Sequence, residues 1–135
     1  MSGRRVPVRA GLFDEPSPGV AQLLGARCPS CGRSFFPRAD QCPYCSSTDV
    51  EPTVLSDTGS VWGWTVVHTA PPGYEGPVPF GFGVVELPEG LRVITRLEVT
   101  DAADLDFGAP VRLAVVPLHE NDDGDLVVTY TFAPA

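Results

Sequence analysis

Four cysteines in two tight pairs, Cys28-Pro29-Ser30-Cys31 and Cys42-Pro43-Tyr44-Cys45, constrain this chain more than any other feature. Together they use every cysteine of the chain within an 18-residue window, at a spacing of C-x2-C-x10-C-x2-C. Two thiolates two residues apart can face one ion from a single turn, and a second such pair completes a tetrahedron. Cys28, Cys31, Cys42 and Cys45 are therefore expected to hold one Zn2+ between two knuckles of a small ribbon. Gly32 suits the positive φ that follows a knuckle's second thiolate, whereas Ser46 stands at the matching place in the other knuckle. A closed four-sulfur site leaves no coordination position for substrate, so the ion is expected to brace the fold. Iron fits the same geometry and would make the ribbon a rubredoxin-like electron carrier.

Two disulfides would need an oxidising compartment. No hydrophobic signal segment precedes Met1-Ser2-Gly3-Arg4-Arg5, so a reducing cytoplasm is the expected location. At 135 residues and 43% hydrophobic, the chain can bury one core plus a metal-stapled appendage. Its 15 prolines and 14 glycines interrupt it too often for long helices, and no apolar run approaches the roughly 18 residues that cross a bilayer.

Every basic residue is arginine, and charge is unevenly placed: residues 1–50 carry +2, whereas residues 51–135 carry −10. An acidic half of that size repels a phosphate backbone. That argues against the single-stranded nucleic-acid-binding role open to a small β-barrel with a zinc ribbon, although Trp62, Trp64, Phe80 and Phe82 offer stacking surfaces. At i, i+2 spacing each aromatic pair is expected to share one strand face.

Three segments follow. Residues 1–25 are expected to form an N-terminal arm with a short helix over Val20–Leu24 after Ser17; residues 26–50 form the zinc ribbon, with the apolar Ser34-Phe35-Phe36-Pro37 at its centre. Residues 51–135 alternate in β fashion, with strands expected near 52–56, 60–69, 79–87, 91–99, 110–117 and 125–132, separated by Asp/Gly, Pro/Gly and Asn/Asp/Gly turns. Asp101–Phe107 interrupts the meander where an OB-fold inserts its connecting element. The expected class is mainly β: an N-terminal rubredoxin-like zinc ribbon followed by a five-stranded OB-fold barrel.

The order of motifs adds a family resemblance. The CxxCG knuckle, Phe35-Phe36-Pro37-Arg38, the CPxC knuckle, Gly59-Ser60-Val61-Trp62-Gly63-Trp64-Thr65-Val66-Val67-His68, a Pro/Gly loop and Pro79-Phe80-Gly81-Phe82-Gly83 together resemble the zinc-ribbon/OB-fold proteins associated with acyl-CoA metabolism. That resemblance implies a small partner subunit of thiolase-superfamily proteins, among them thiolases, acyltransferases and sterol-carrier-type aldolases that cleave CoA-activated side chains. Some members occur fused behind a hydratase domain. It also implies acyl-CoA as a ligand, with catalysis left to the partner.

The residues support part of this directly. The loop from Ala70 to Phe80 holds four prolines, two glycines and Tyr74, a prefolded apolar surface suited to pantetheine or to protein. Candidate CoA or partner contacts there are Pro71, Gly73, Tyr74, Pro79 and Phe80, with His68 at the loop's start. Arg33 and Arg38 on the ribbon are the candidate phosphate donors. His119 is expected in a solvated turn. No nucleophile-base-orienter set is visible, so the isolated chain is expected to catalyse nothing.

Overall fold

A computed structural model describes residues 4–17, 20–74 and 76–135. Met1–Gly3, Pro18, Gly19 and Glu75, which belong to the expected arm and to the Pro/Gly loop, lie outside them. Ten strands run in the order β1 (Arg5–Pro7), β2 (Phe13–Ser17), β3 (Val20–Arg27), β4 (Ser34–Phe35), β5 (Glu51–Val54), β6 (Thr58–Val67), β7 (Phe80–Glu86), β8 (Arg92–Leu97), β9 (Pro110–Glu120) and β10 (Leu126–Pro134). A 3-10 turn, Ala102–Asp104, stands between β8 and β9, capped where the Asp101 carboxylate accepts the Ala103 N–H at 2.9 Å.

Five of these strands close on themselves. β6, β7 and β8 form an antiparallel meander, β8 runs parallel to β10, β10 pairs antiparallel with β9, and β9 returns to β6. Closure removes the exposed edges of an open sheet, and the single parallel junction follows from the excursion through residues 98–109. The interior is filled by Val61, Val85, Val93, Leu97, Val111, Leu113 and Phe132. The expected OB barrel is therefore present. β9 runs on to Glu120, however, so His119 pairs with Val127 in a strand instead of lying in a turn.

The expected helix after Ser17 is absent. Residues Val20–Arg27 form β3, which is paired with β2 on one side and with β4 and β5 further along. Intrinsic preference for helix in an Ala/Leu/Gln segment amounts to tenths of a kcal/mol per residue, roughly, and tertiary contacts outweigh it. Here a strand completes two ladders at once and sends Leu23 into the barrel core while Ala26 enters the ribbon core. The arm is packed onto the barrel: β1 extends the sheet beside β10 in parallel, and Phe13 is buried with Leu23 against the barrel.

A bulge corrects a second expectation. Val61 pairs with Val85 and Gly63 with Val84, leaving Trp62 without a partner. One extra residue reverses the facing of all that follows. Trp62 consequently points to solvent, whereas Trp64 lies over Gly83 and packs on the core, its indole N–H donating to the Ala102 carbonyl at 2.9 Å.

Candidate metal centre and loop groove

The two knuckles are built alike. After Cys28-Pro29-Ser30-Cys31, the Gly32 N–H donates to the Cys28 carbonyl at 2.7 Å, and the Cys28 N–H to the Arg33 carbonyl at 2.9 Å. In the second knuckle, Ser46 donates to the Cys42 carbonyl at 3.0 Å, and Cys42 to the Ser47 carbonyl at 2.8 Å. Gly32 has φ 78° and Ser46 φ 66°, so the serine adopts the left-handed turn that its side chain disfavours. A Gln41 side-chain N–H on the Ser46 carbonyl, at 3.0 Å, helps hold it there.

These turns gather four sulfurs. The Sγ atoms of Cys28, Cys31, Cys42 and Cys45 all lie within 4.8 Å of one another, with Cys28 to Cys45 at 3.5 Å and Cys31 to Cys42 at 3.7 Å. Four thiolates around zinc at about 2.3 Å stand about 3.8 Å apart, so the quartet fits a tetrahedral ion. Backbone amides reinforce it. The Tyr44 N–H reaches Cys42 Sγ at 3.4 Å, and the Cys28 thiol is pulled down to about 7, first by the Cys31 backbone N–H. Cys28 and Cys42 are buried against Ala26 and Phe35, while Cys31 and Cys45 reach the surface.

Ribbon and barrel are fastened by side chains between the knuckles. Phe35 fills the ribbon core, as expected; Phe36 turns the other way onto the barrel core. Arg38 is spent internally: its Nε donates to the Gly25 carbonyl at 2.7 Å and its Nη2 to that of Thr53 at 3.0 Å, bracing β3 and β5. Arg33 lies over the Tyr44 ring at 4.8 Å, beside a polar cleft shared with Glu89 and Gly90.

Beyond β6 the chain leaves the barrel through the Pro/Gly loop. The Tyr74 N–H closes a turn on the Pro71 carbonyl at 3.0 Å, with Gly73 at φ 81°, the pattern of a type II turn with Pro72 at its second position. The loop then folds back on the outer barrel wall. The Tyr74 and Phe80 rings meet at 4.9 Å, and the Arg96 guanidinium lies 5.2 Å from the Phe80 centroid.

A polar chain locks this contact. Tyr74 Oη donates to the Pro77 carbonyl at 2.8 Å and accepts from Arg96 Nη1 at 2.9 Å, while Arg96 Nε donates to Glu98 at 2.7 Å. Thr131 donates to the same carboxylate at 2.8 Å. Burial would lower the Arg96 pKa, but the Glu98 hydrogen bond and charge outweigh it and raise it.

Between loop and wall lies an apolar groove of about 370 Å³, lined by Val67, Pro71, Tyr74, Phe80, Phe82, Arg96, Leu118 and Thr129. Pro71, Tyr74 and Phe80 thus come together. His68 stands exposed just past β6, Pro79 follows a cis peptide bond after Val78, and Arg33 and Arg38 belong to the ribbon and line none of the groove. Arg96 was missed by the sequence reading; its signal was an arginine on a strand with an acid two residues on, just past the strand's end, facing an aromatic loop.

The family follows from residues in both halves. Residues 21–51 match the family model described as "ChsH2, rubredoxin-like zinc ribbon domain", and residues 53–116 match "ChsH2, C-terminal OB-fold domain". The chain belongs to the ChsH2 zinc-ribbon/OB-fold family. Within it, a "DUF35 domain-containing scaffold protein" of Methanocaldococcus jannaschii is 34% identical over 114 residues, covering 83% of this chain and 81% of that protein. The "Benzoylsuccinyl-CoA thiolase subunit BbsA" of Thauera aromatica is 32% identical over 130 residues, 90% of this chain and 83% of its own length. Among solved structures, a chain of the "Ltp2-ChsH2(DUF35) aldolase" superposes with a TM-score of 0.62 at 28% identity, covering 84% of each chain.

Proposed function

We propose that this ChsH2-family chain is a non-catalytic subunit that docks on a thiolase-superfamily protein, a thiolase or a retro-aldolase acting on CoA thioesters, and helps hold the acyl-CoA. Steroid side-chain degradation is one setting for such a pair, and the cytoplasm its compartment. The observation that carries this reading is similarity through ribbon and barrel together to relatives named as a scaffold and as a thiolase subunit. Two features of the chain agree with it. A quartet of thiolates saturates a tetrahedral zinc, which gives the ion a structural role and leaves no place for a substrate. The groove beneath Tyr74 has the apolar lining that a pantetheine arm or acyl chain needs, with Arg96 as the one charged group lining it among the described residues.

The test pairs activity with association. Purified chain, carrying one zinc, is incubated with a 3-ketoacyl-CoA and free CoA; no thiolysis is expected. A tagged chain expressed in its own source organism is expected to copurify with a thiolase-superfamily protein, identified by mass spectrometry, whose addition starts turnover. Thiolysis by the chain alone, or copurification without any such protein, overturns the reading.

A further inference from the structure

Resting on the accessory-subunit reading, we infer that the partner docks on the outer wall of β6–β7–β8, with Trp62, Phe82, Ile94 and Phe107 as its apolar anchors. Each of these side chains is large and open to solvent: Trp62 is 52% exposed, Phe82 43%, Ile94 65% and Phe107 80%. They are also contiguous. Ile94 pairs with Val84, which shares its strand face with Phe82 and is paired in turn with Gly63, next to the bulged Trp62. Trp62 and Phe107 then line one cleft of about 580 Å³. Isolated exposed apolar residues are ordinary on a protein surface, whereas several large ones on neighbouring strand positions of one wall mark a binding face.

Rigidity singles the patch out from a loose loop. Trp62 is held under the Arg92 guanidinium, 4.1 Å from its ring, and Arg92 is paired to Glu86 at 3.4 Å. Phe107 sits on a segment tied down on every side. Leu105 is buried beside it, the Gly108 N–H donates to the Val61 carbonyl at 2.8 Å, and the Trp64 ring meets Phe107 edge-on at 5.0 Å. An anchor already fixed in place loses little entropy when it inserts into a pocket.

Charge selects the occupant. Phe107 is flanked by the exposed carboxylates of Asp104 and Asp106, while Glu86 across the cleft is balanced by Arg92, which leaves the patch net negative on the acidic half of a chain of net charge −8. A second copy would bring like charges together, and nucleic acid or an anionic lipid surface would be repelled. The matching surface is an apolar pocket on a protein, rimmed with lysine or arginine. That surface belongs to the thiolase-superfamily partner.

The experiment uses zinc-loaded chain and the purified thiolase-superfamily protein recovered in the copurification, with Kd measured by calorimetry at low and high sodium chloride. Phe107→Ala should weaken binding about 30-fold, as loss of a hot-spot residue does, and Ile94→Asp by roughly 100-fold or more, since it also places a charge in the interface. Asp104→Arg with Asp106→Arg should weaken binding at low salt and invert the salt dependence of Kd. Val54→Asp, at an exposed position of β5, should bind as wild type, and all variants should keep one zinc and an unchanged circular dichroism spectrum. Wild-type Kd for Ile94→Asp and Phe107→Ala, or loss of binding with Val54→Asp, overturns the surface while leaving the subunit reading intact. Failure of the wild-type chain to bind that protein overturns both. A homodimer in light scattering that Ile94→Asp dissolves would assign the wall to a second copy and overturn the inference as well.

Discussion

Phe36, between the two knuckles, meets Tyr130 of the last barrel strand edge to face, with ring centroids 5.6 Å apart and planes at 82°. Phe13 meets the other side of Tyr130 at 6.1 Å, so one phenol is held between the ribbon and the N-terminal hairpin. The zinc ribbon thus keeps a small core of its own around Cys28, Phe35 and Cys42 and is fastened to the barrel's core through Phe36.

Coupling between the two halves should be measurable. Truncation of half-buried Phe36 to Ala is expected to cost about 3 kcal/mol, the low end for aromatic deletions. A double-mutant cycle with Tyr130→Ala should return a coupling of about 1 kcal/mol, from urea unfolding of the four proteins. Strict additivity would mean that the two rings touch without supporting each other.

Alkaline pH should loosen the same junction. Burial raises the Tyr130 pKa above the ordinary phenol value of 10.0, and its hydroxyl donates to the Ile94 carbonyl at 3.2 Å. Because the folded-state pKa is the higher one, the neutral phenol's contribution is intact below the unfolded value and drains away as pH climbs through the folded value. Urea midpoints should fall above pH 10 in the wild type and fall less steeply in Tyr130→Phe. Parallel profiles for the two proteins would assign the alkaline loss to other groups.

The barrel was legible because alternation, turn residues and the interruption at Asp101–Phe107 all follow local rules. The quartet was legible because thiolate spacing alone encodes it. β3 was not: its sequence favours helix weakly, and the strand arises from partners at Phe13, Phe35 and Pro52 that are distant along the chain. Similarly, nothing local announces a bulge at Trp62, although Gly83 stands where the β6 backbone at Gly63 and Trp64 crowds it. The Tyr74–Arg96 lock joins residues 22 apart and needed the tertiary structure to be seen.

That crowding makes Gly83 a sharp test of the bulge. A Cβ there would collide with the Gly63 carbonyl and lie 2.8 Å from the Trp64 Cα, both backbone atoms that cannot swing aside. Gly83→Ala should destabilise by about 3 kcal/mol, the upper range for overpacking, and lower the melting temperature accordingly. An unchanged melting temperature would show that the strand can slip its register and dispense with the bulge.

Removing the metal should unsettle more than the ribbon. Leu23 and Phe36 join the barrel core from strands and turns that the thiolates hold in place, so chelation under reducing conditions should lower the melting temperature of the whole chain. Calorimetry is expected to show one cooperative transition with metal and an earlier, broader one after treatment with a strong chelator. Cys42→Ser should reproduce the chelated behaviour. An independent barrel transition, unmoved by chelator, would contradict this coupling of ribbon to barrel.

The lock on the Pro/Gly loop yields the last expectation. Arg96 joins Tyr74 to Glu98, and truncating it to Ala leaves a partly buried carboxylate with Thr131 alone and the Tyr74 hydroxyl with the Pro77 carbonyl alone. Losing charge-assisted hydrogen bonds of this kind costs about 1.5–3 kcal/mol, here spent on local opening because the barrel ladders do not involve the side chain. The Tyr74 amide, which donates to the Pro71 carbonyl at 3.0 Å, should then exchange with solvent more than tenfold faster while core amides such as that of Val85 keep their rates. Arg96→Lys restores charge but not the fork that reaches both partners, so it should rescue only part of the protection. Equal exchange at Tyr74 in wild type and Arg96→Ala would mean that the prolines alone fix the loop and that the groove keeps its shape without Arg96.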